Sequence, residues 1–148
     1  MLVLGAMVLV TVEAWRAPIG LTHYEGIPRF YDRFADQDVV VAEFPFYARV
    51  AWSQNGRYLL NNTRNFKPLI NGYSSYWPPA WEPRARILET FPSAGAIDEL
   101  RRLGTTDVIV HAAAFEQRHG AAALAAVARV PGLTLMTEEN GIRLYQLR

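Results

Sequence analysis

The chain contains no cysteine, which excludes disulfides, thiolate catalysis and cysteine-based zinc sites together. It has three histidines, His23, His111 and His119. His111 and His119 lie eight positions apart, not at the i, i+4 spacing of a helical zinc site, so no metal centre is expected. There is no G-x-S-x-G elbow, which removes the usual signature of a serine hydrolase. Neither a G-x-G-x-x-G turn nor a Walker A loop is present, so no nucleotide phosphate cradle and no cofactor are expected. A basic stripe is also missing. The 15 Lys and Arg residues are scattered apart from Arg101-Arg102 and are balanced to a net charge of +1, which argues against nucleic acid as a partner. No internal repeat, low-complexity tract or dividing linker interrupts the chain.

What is present fits one ordinary domain: 148 residues, 51% of them hydrophobic, enough to bury a real core. The amino terminus stands apart. Met1 to Val12 carries no charge, and Glu13, Trp15 and Arg16 follow. Twelve apolar residues fall short of the roughly 20 that cross a bilayer. No Lys or Arg precedes the run, and Glu13-Ala14-Trp15 is a poor cleavage site, so a signal peptide does not fit. Residues 1–16 therefore read as the end of a transmembrane helix, with Trp15 and Arg16 as interfacial anchors. A buried strand or core helix is the alternative. Residues 17–148 read as a soluble α/β domain.

Within that domain, Ile27, Phe30, Tyr31 and Phe34 have the spacing of an amphipathic helix. Asp38 to Phe46 opens with a β-branched run suited to a buried strand, and Pro45 ends it. Asn55-Gly56 signals a turn. Residues 57–92 read as a long irregular loop. Ser93 caps a helix whose Ala94, Ile97 and Leu100 share a face, and Gly104 stops it. Asp107 to His111 is a short strand and Phe115 to Val130 an Ala-rich helix. Leu133 to Thr137 and Ile142 to Leu147 flank Asn140-Gly141, a hairpin signal. This order predicts an α/β fold: a small mixed sheet with flanking helices, half of a Rossmann-like arrangement, with at least one parallel crossover.

Candidate functional residues concentrate in Tyr58 to Trp81, which holds four Asn, three Tyr, two Trp, Arg64 and Lys67. Amide forks, flat apolar faces and fixed charge suit a polar ring-shaped ligand or a partner protein. Tyr58, Asn61, Arg64, Asn65, Lys67, Asn71, Tyr73, Ser74 and Trp77 are the candidates there. The aromatic residues serve equally as a satellite core, and Asn71-Gly72 as a plain turn. Glu43, late in a buried strand, joins the candidates because a carboxylate there needs a partner or a cleft. Arg57 and Arg64 are its expected partners. A small enzyme centred on Glu43 with Arg64 or His111 would require a cleft bringing those groups within hydrogen-bond reach.

Several segments together resemble a known family. They are Glu13-Ala14-Trp15-Arg16-Ala17-Pro18-Ile19, Ala42-Glu43-Phe44-Pro45, Tyr58-Leu59-Leu60, Lys67-Pro68-Leu69-Ile70-Asn71-Gly72-Tyr73-Ser74, Phe91-Pro92 and Leu103-Gly104. Their order resembles the carboxy-terminal region of bacterial multi-span membrane glycosyltransferases of the GT-C type, related to protein-O-mannosyltransferases. Asn65-Phe66 stands where such sequences tend to show His-Trp, and Ser75 where Gly is usual. The resemblance implies an extracytoplasmic domain on the periplasmic face of the inner membrane. Its partner would be the membrane-embedded portion of the same protein, whose sugar donor is a polyprenyl phosphate. The acidic residues that catalyse transfer in that family lie in an early loop with no counterpart here. The implied role is therefore a non-catalytic accessory domain, touching lipid-linked sugar or glycan at most. The alternative is a free-standing, membrane-tethered module that binds glycan or protein.

Overall fold

The computed structural model describes residues 2–15, 24–48, 50–72 and 76–148. It is a mixed α/β fold around a four-stranded sheet. The strands are β1 (Val41–Phe44), β2 (Asp107–His111), β3 (Leu133–Glu139) and β4 (Ile142–Leu147), in spatial order β1-β2-β4-β3. β1 and β2 run parallel, and the other two pairings are antiparallel. The crossover from β1 to β2 carries helices α2 (Gly56–Asn62), α3 (Trp81–Leu88) and α4 (Ala94–Arg102), whereas α5 (Ala112–His119) and α6 (Ala121–Val127) precede the hairpin.

The period-two alternation of strands gives the sheet two faces with different cover. Ala42, Phe44, Val108, Val110, Tyr145 and Leu147 look toward one core, where Leu88, Ile97, Leu100, Phe115 and Val127 meet them. Phe44 stacks on Phe91 with ring centroids 4.0 Å apart. Val41, Ile109, Ile142 and Leu144 look the other way, onto a short 3-10 helix, Arg29–Phe34, whose Phe30, Tyr31 and Phe34 are buried. The apolar spacing predicts a helix there, and the tighter helix buries the same face.

Local signals account for several boundaries. The Ser93 side chain accepts from the Ala96 N–H at the start of α4, and Gly104 follows the helix with φ +72°. Asn140 and Gly141 both take positive φ, which the right-handed twist of the β3–β4 hairpin favours. Two expectations are corrected. The Ala-rich helix is two helices, because Gly120 takes φ +86° between α5 and α6, a conformation only glycine adopts cheaply. The long loop over 57–92 is partly helical. α2 buries Tyr58 and Asn61, one aromatic and one amide, so it shows no apolar period. In α3 Pro83 sits in the first turn, where no intrahelical N–H is required.

The amino-terminal run forms α1 (Leu2–Ala14), 13 residues long. At about 1.5 Å per residue it is about 20 Å long, short of the roughly 30 Å of a bilayer core. No helix among the described residues is long and apolar enough to cross a membrane. Every described side chain from Val3 to Trp15 is exposed, including Leu4, Met7, Val8, Leu9 and Val10.

Candidate functional site

β1 and β2 form the frame of the candidate site because their parallel register brings two polar side chains to one face. Glu43 pairs with Ile109 in the ladder, so His111, two residues further along β2, points to the same side. Glu43 is 1% exposed. Its Oε2 lies 2.7 Å from His111 Nε2 and accepts from the Tyr31 hydroxyl, also at 2.7 Å. Tyr31 in turn accepts from the Asn61 amide nitrogen at 3.1 Å. Burial, then the adjoining Glu43 charge, pushes the Tyr31 hydroxyl far above the ordinary tyrosine range, so it stays protonated and donates.

The arrangement fixes the imidazole. Glu43 Oε2 already takes the Tyr31 proton, so a second short contact to that oxygen requires an N–H on His111 Nε2. In a neutral imidazole so held, Nδ1 carries the lone pair. Tyr58 stacks on the imidazole at 5.0 Å with the rings 14° apart, and its hydroxyl donates to the Pro45 carbonyl. Burial, followed by the neighbouring Tyr47 and Glu43, also raises the Tyr58 hydroxyl well above its usual range.

His111, its side chain 18% exposed, forms part of the wall of an open cleft of about 510 Å³. Glu25, Arg57, the first turn of α5 and the Asn140-Gly141 turn complete it. The cleft thus lies at the carboxyl end of β2, where open α/β sheets commonly bind ligands. Its volume falls within the range of small-molecule sites. Among the described residues, no group of three His, Cys, Asp or Glu side chains is placed to hold a metal ion.

The other candidates divide into buried ties and surface groups. Asn71 is fully buried and works as a substitute strand partner. Its Oδ1 accepts from the Glu43 N–H at 2.7 Å, and its Nδ2 donates to the Glu43 carbonyl at 2.8 Å. With the Pro68 and Ile70 backbone bonded to Val41, it covers the free edge of β1. Asn71 therefore presents no amide atom to a ligand. The Asn55 side chain donates to the Tyr47 carbonyl at 2.7 Å behind it. Asn65 donates to the Tyr31 carbonyl, and the Lys67 ammonium caps the carbonyls of Ala35 and Gln37. Arg64 pairs with Asp32 on the surface and not with Glu43. Trp77 packs edge-on against Trp52 and Trp81. Tyr73 and Ser74 lie outside the described residues.

The sequence offers Glu43, Tyr58 and Asn61 as separate candidates and His111 as one possible companion of Glu43, but gives no sign of Tyr31 or Asn55 as polar partners. Tyr31 reads as one more apolar position on a helix face, and Asn55 as half of a turn pair. Arg57 lines the cleft instead of meeting Glu43. The usable signal was the pairing of two short β-branched strands, each with an ionisable side chain near its end. Compared with known proteins, the chain matches no family model, no curated sequence and no solved structure.

Proposed function

We propose that the chain is a membrane-attached accessory domain of a glycosyltransferase-like membrane protein that uses a polyprenyl-phosphate sugar. In this reading α1 is the end of a longer membrane helix, and the α/β domain sits on the extracytoplasmic face against the membrane-embedded portion. The observation that carries it is α1, apolar apart from Thr11 and Glu13 near its end and exposed throughout its described side chains. A helix hydrophobic on all sides is stable only when covered by protein or lipid. The order of sequence segments that resembles the GT-C carboxy-terminal region supplies the kind of parent protein. The reading frame upstream of Met1 tests it: several encoded membrane spans are expected, and a promoter and ribosome-binding site directly before Met1 would contradict it.

A second reading is favoured by one contact, the 2.7 Å approach of His111 to Glu43. An imidazole oriented by a buried carboxylate, with its other nitrogen free, is the arrangement a general base uses. In this reading the cleft holds a ligand that offers a hydroxyl proton to Nδ1, with Arg57 and Glu25 hydrogen-bonding neighbouring groups. Replacing His111 with Phe keeps an aromatic ring beneath Tyr58 and removes the base. Loss of ligand-dependent shifts in the cleft amides, with the fold retained, is the expected result. Unchanged shifts would remove His111 from the site.

A further inference from the structure

Behind the Glu43–His111 pair, on the side away from the imidazole, two acceptor atoms are left without hydrogen bonds in the interior. They are Glu43 Oε1 and Asn61 Oδ1. Their residues are 1% and 2% exposed. Leaving either unsatisfied is costly, and more so for a carboxylate oxygen. Both residues line one small cavity of about 10 Å³, together with Tyr31, Asn62, Asn65 and Lys67. That volume is about one water probe.

We infer that this cavity is a binding site for a single water molecule that bridges Glu43 and Asn61. The hydrogen-bond inventory selects water over other occupants. The Tyr31 proton goes to Glu43, so the Tyr31 oxygen must accept, which holds the Asn61 amide nitrogen toward it and turns Oδ1 away. The two orphans are therefore both acceptors. A water has two protons and matches them one to one. Its lone pairs can be met by the Asn62 and Asn65 amides. Each has one N–H already committed, to the carbonyls of Lys67 and Tyr31, and a second in hand.

The water has a consequence for the cleft. With Oε2 held by Tyr31 and His111 and Oε1 held by the water, both oxygens of Glu43 are anchored and its rotamer is fixed. Glu43 then acts as a positioning residue that sets the plane and tautomer of His111. The inference stands on the orphaned atoms and holds whether or not the chain is membrane-attached.

Two measurements on the full chain in detergent test it. In a crystal structure at about 1.8 Å resolution, a solvent peak is expected within ordinary hydrogen-bond distance of both oxygens, 2.6 to 3.2 Å as an approximate window. An empty cavity, a direct Glu43–Asn61 hydrogen bond, or a peak touching one oxygen alone would overturn the inference. In solution, the Asn61 side-chain amide protons are expected to show cross-relaxation with a long-lived water. Long-range imidazole correlations should also report an N–H on Nε2. An amide contact of surface-water lifetime, or the Nδ1–H tautomer, counts against the site.

Discussion

The most apolar segment of the chain lies outside, whereas several strongly polar side chains lie inside. α1 exposes Leu4, Val8, Leu9 and Val10, whereas Glu43, Asn55, Asn61 and Asn71 are at most 2% exposed. The inversion has a different cause at each end. A run whose only polar side chain before Glu13 is Thr11 has no polar face to turn toward water, so it needs cover from outside the domain. An Asn side chain carries the same donor and acceptor as a backbone amide, so it can be buried where a strand edge needs a partner. Composition identifies both segments as unusual, but burial follows from what each group can hydrogen-bond.

Replacing Asn71 with Leu keeps a similar volume and orphans the N–H and C=O of Glu43, so a loss of about 3 kcal/mol is expected in chemical denaturation. A loss under about 1 kcal/mol would show that the amide is not the strand's partner. Tyr31→Phe removes the proton given to Glu43 and the acceptor for Asn61, at an expected cost of about 2 kcal/mol. Nitrogen NMR should still report the N–H on His111 Nε2, because the Glu43 carboxylate remains its acceptor.

Glu99 is a control for the buried amides, because its partners are charges. Its hydrogen bond from Arg102 holds the carboxyl below the ordinary Glu range despite partial burial. A depressed folded-state pKa gives stability that is present above the unfolded value of about 4.3 and lost as pH falls through the lower folded value. Glu99→Gln should therefore flatten the acid limb of the stability curve and leave the Asn71 effect untouched. The smallest effect is expected outside. The pair Leu4→Asp and Val8→Asp should change the unfolding free energy of the α/β domain by less than about 0.5 kcal/mol, because neither side chain is buried.

The legible parts of the fold are those with local signals. Ser93 and Gly104 bound α4, Asn140-Gly141 closes the hairpin, and the Val/Ile run gives β2 to the residue. The illegible parts depend on partners distant in sequence. Nothing near Asn71 indicates that it will complete β1, because the matching N–H and C=O lie 28 residues away. The break at Gly120 was obscured by alanines on both sides, which keep the helical pattern continuous. Glu43 drew attention as a buried carboxylate, but its partner depended on register. His111 reaches it because β1 and β2 run parallel with Glu43 opposite Ile109. The candidate site was thus legible as a set of residue types and illegible as a geometry.

In the proposed reading, lipid holds the exposed apolar helix while the polar interior stands on its own. Flotation of the full chain with phospholipid vesicles measures this directly, beside the Leu4→Asp, Val8→Asp double variant. The account predicts that the unaltered chain rises with the vesicles and that the double variant stays in the dense fraction, folded. Equal flotation of both chains, or a soluble monomer that ignores the vesicles, would contradict it.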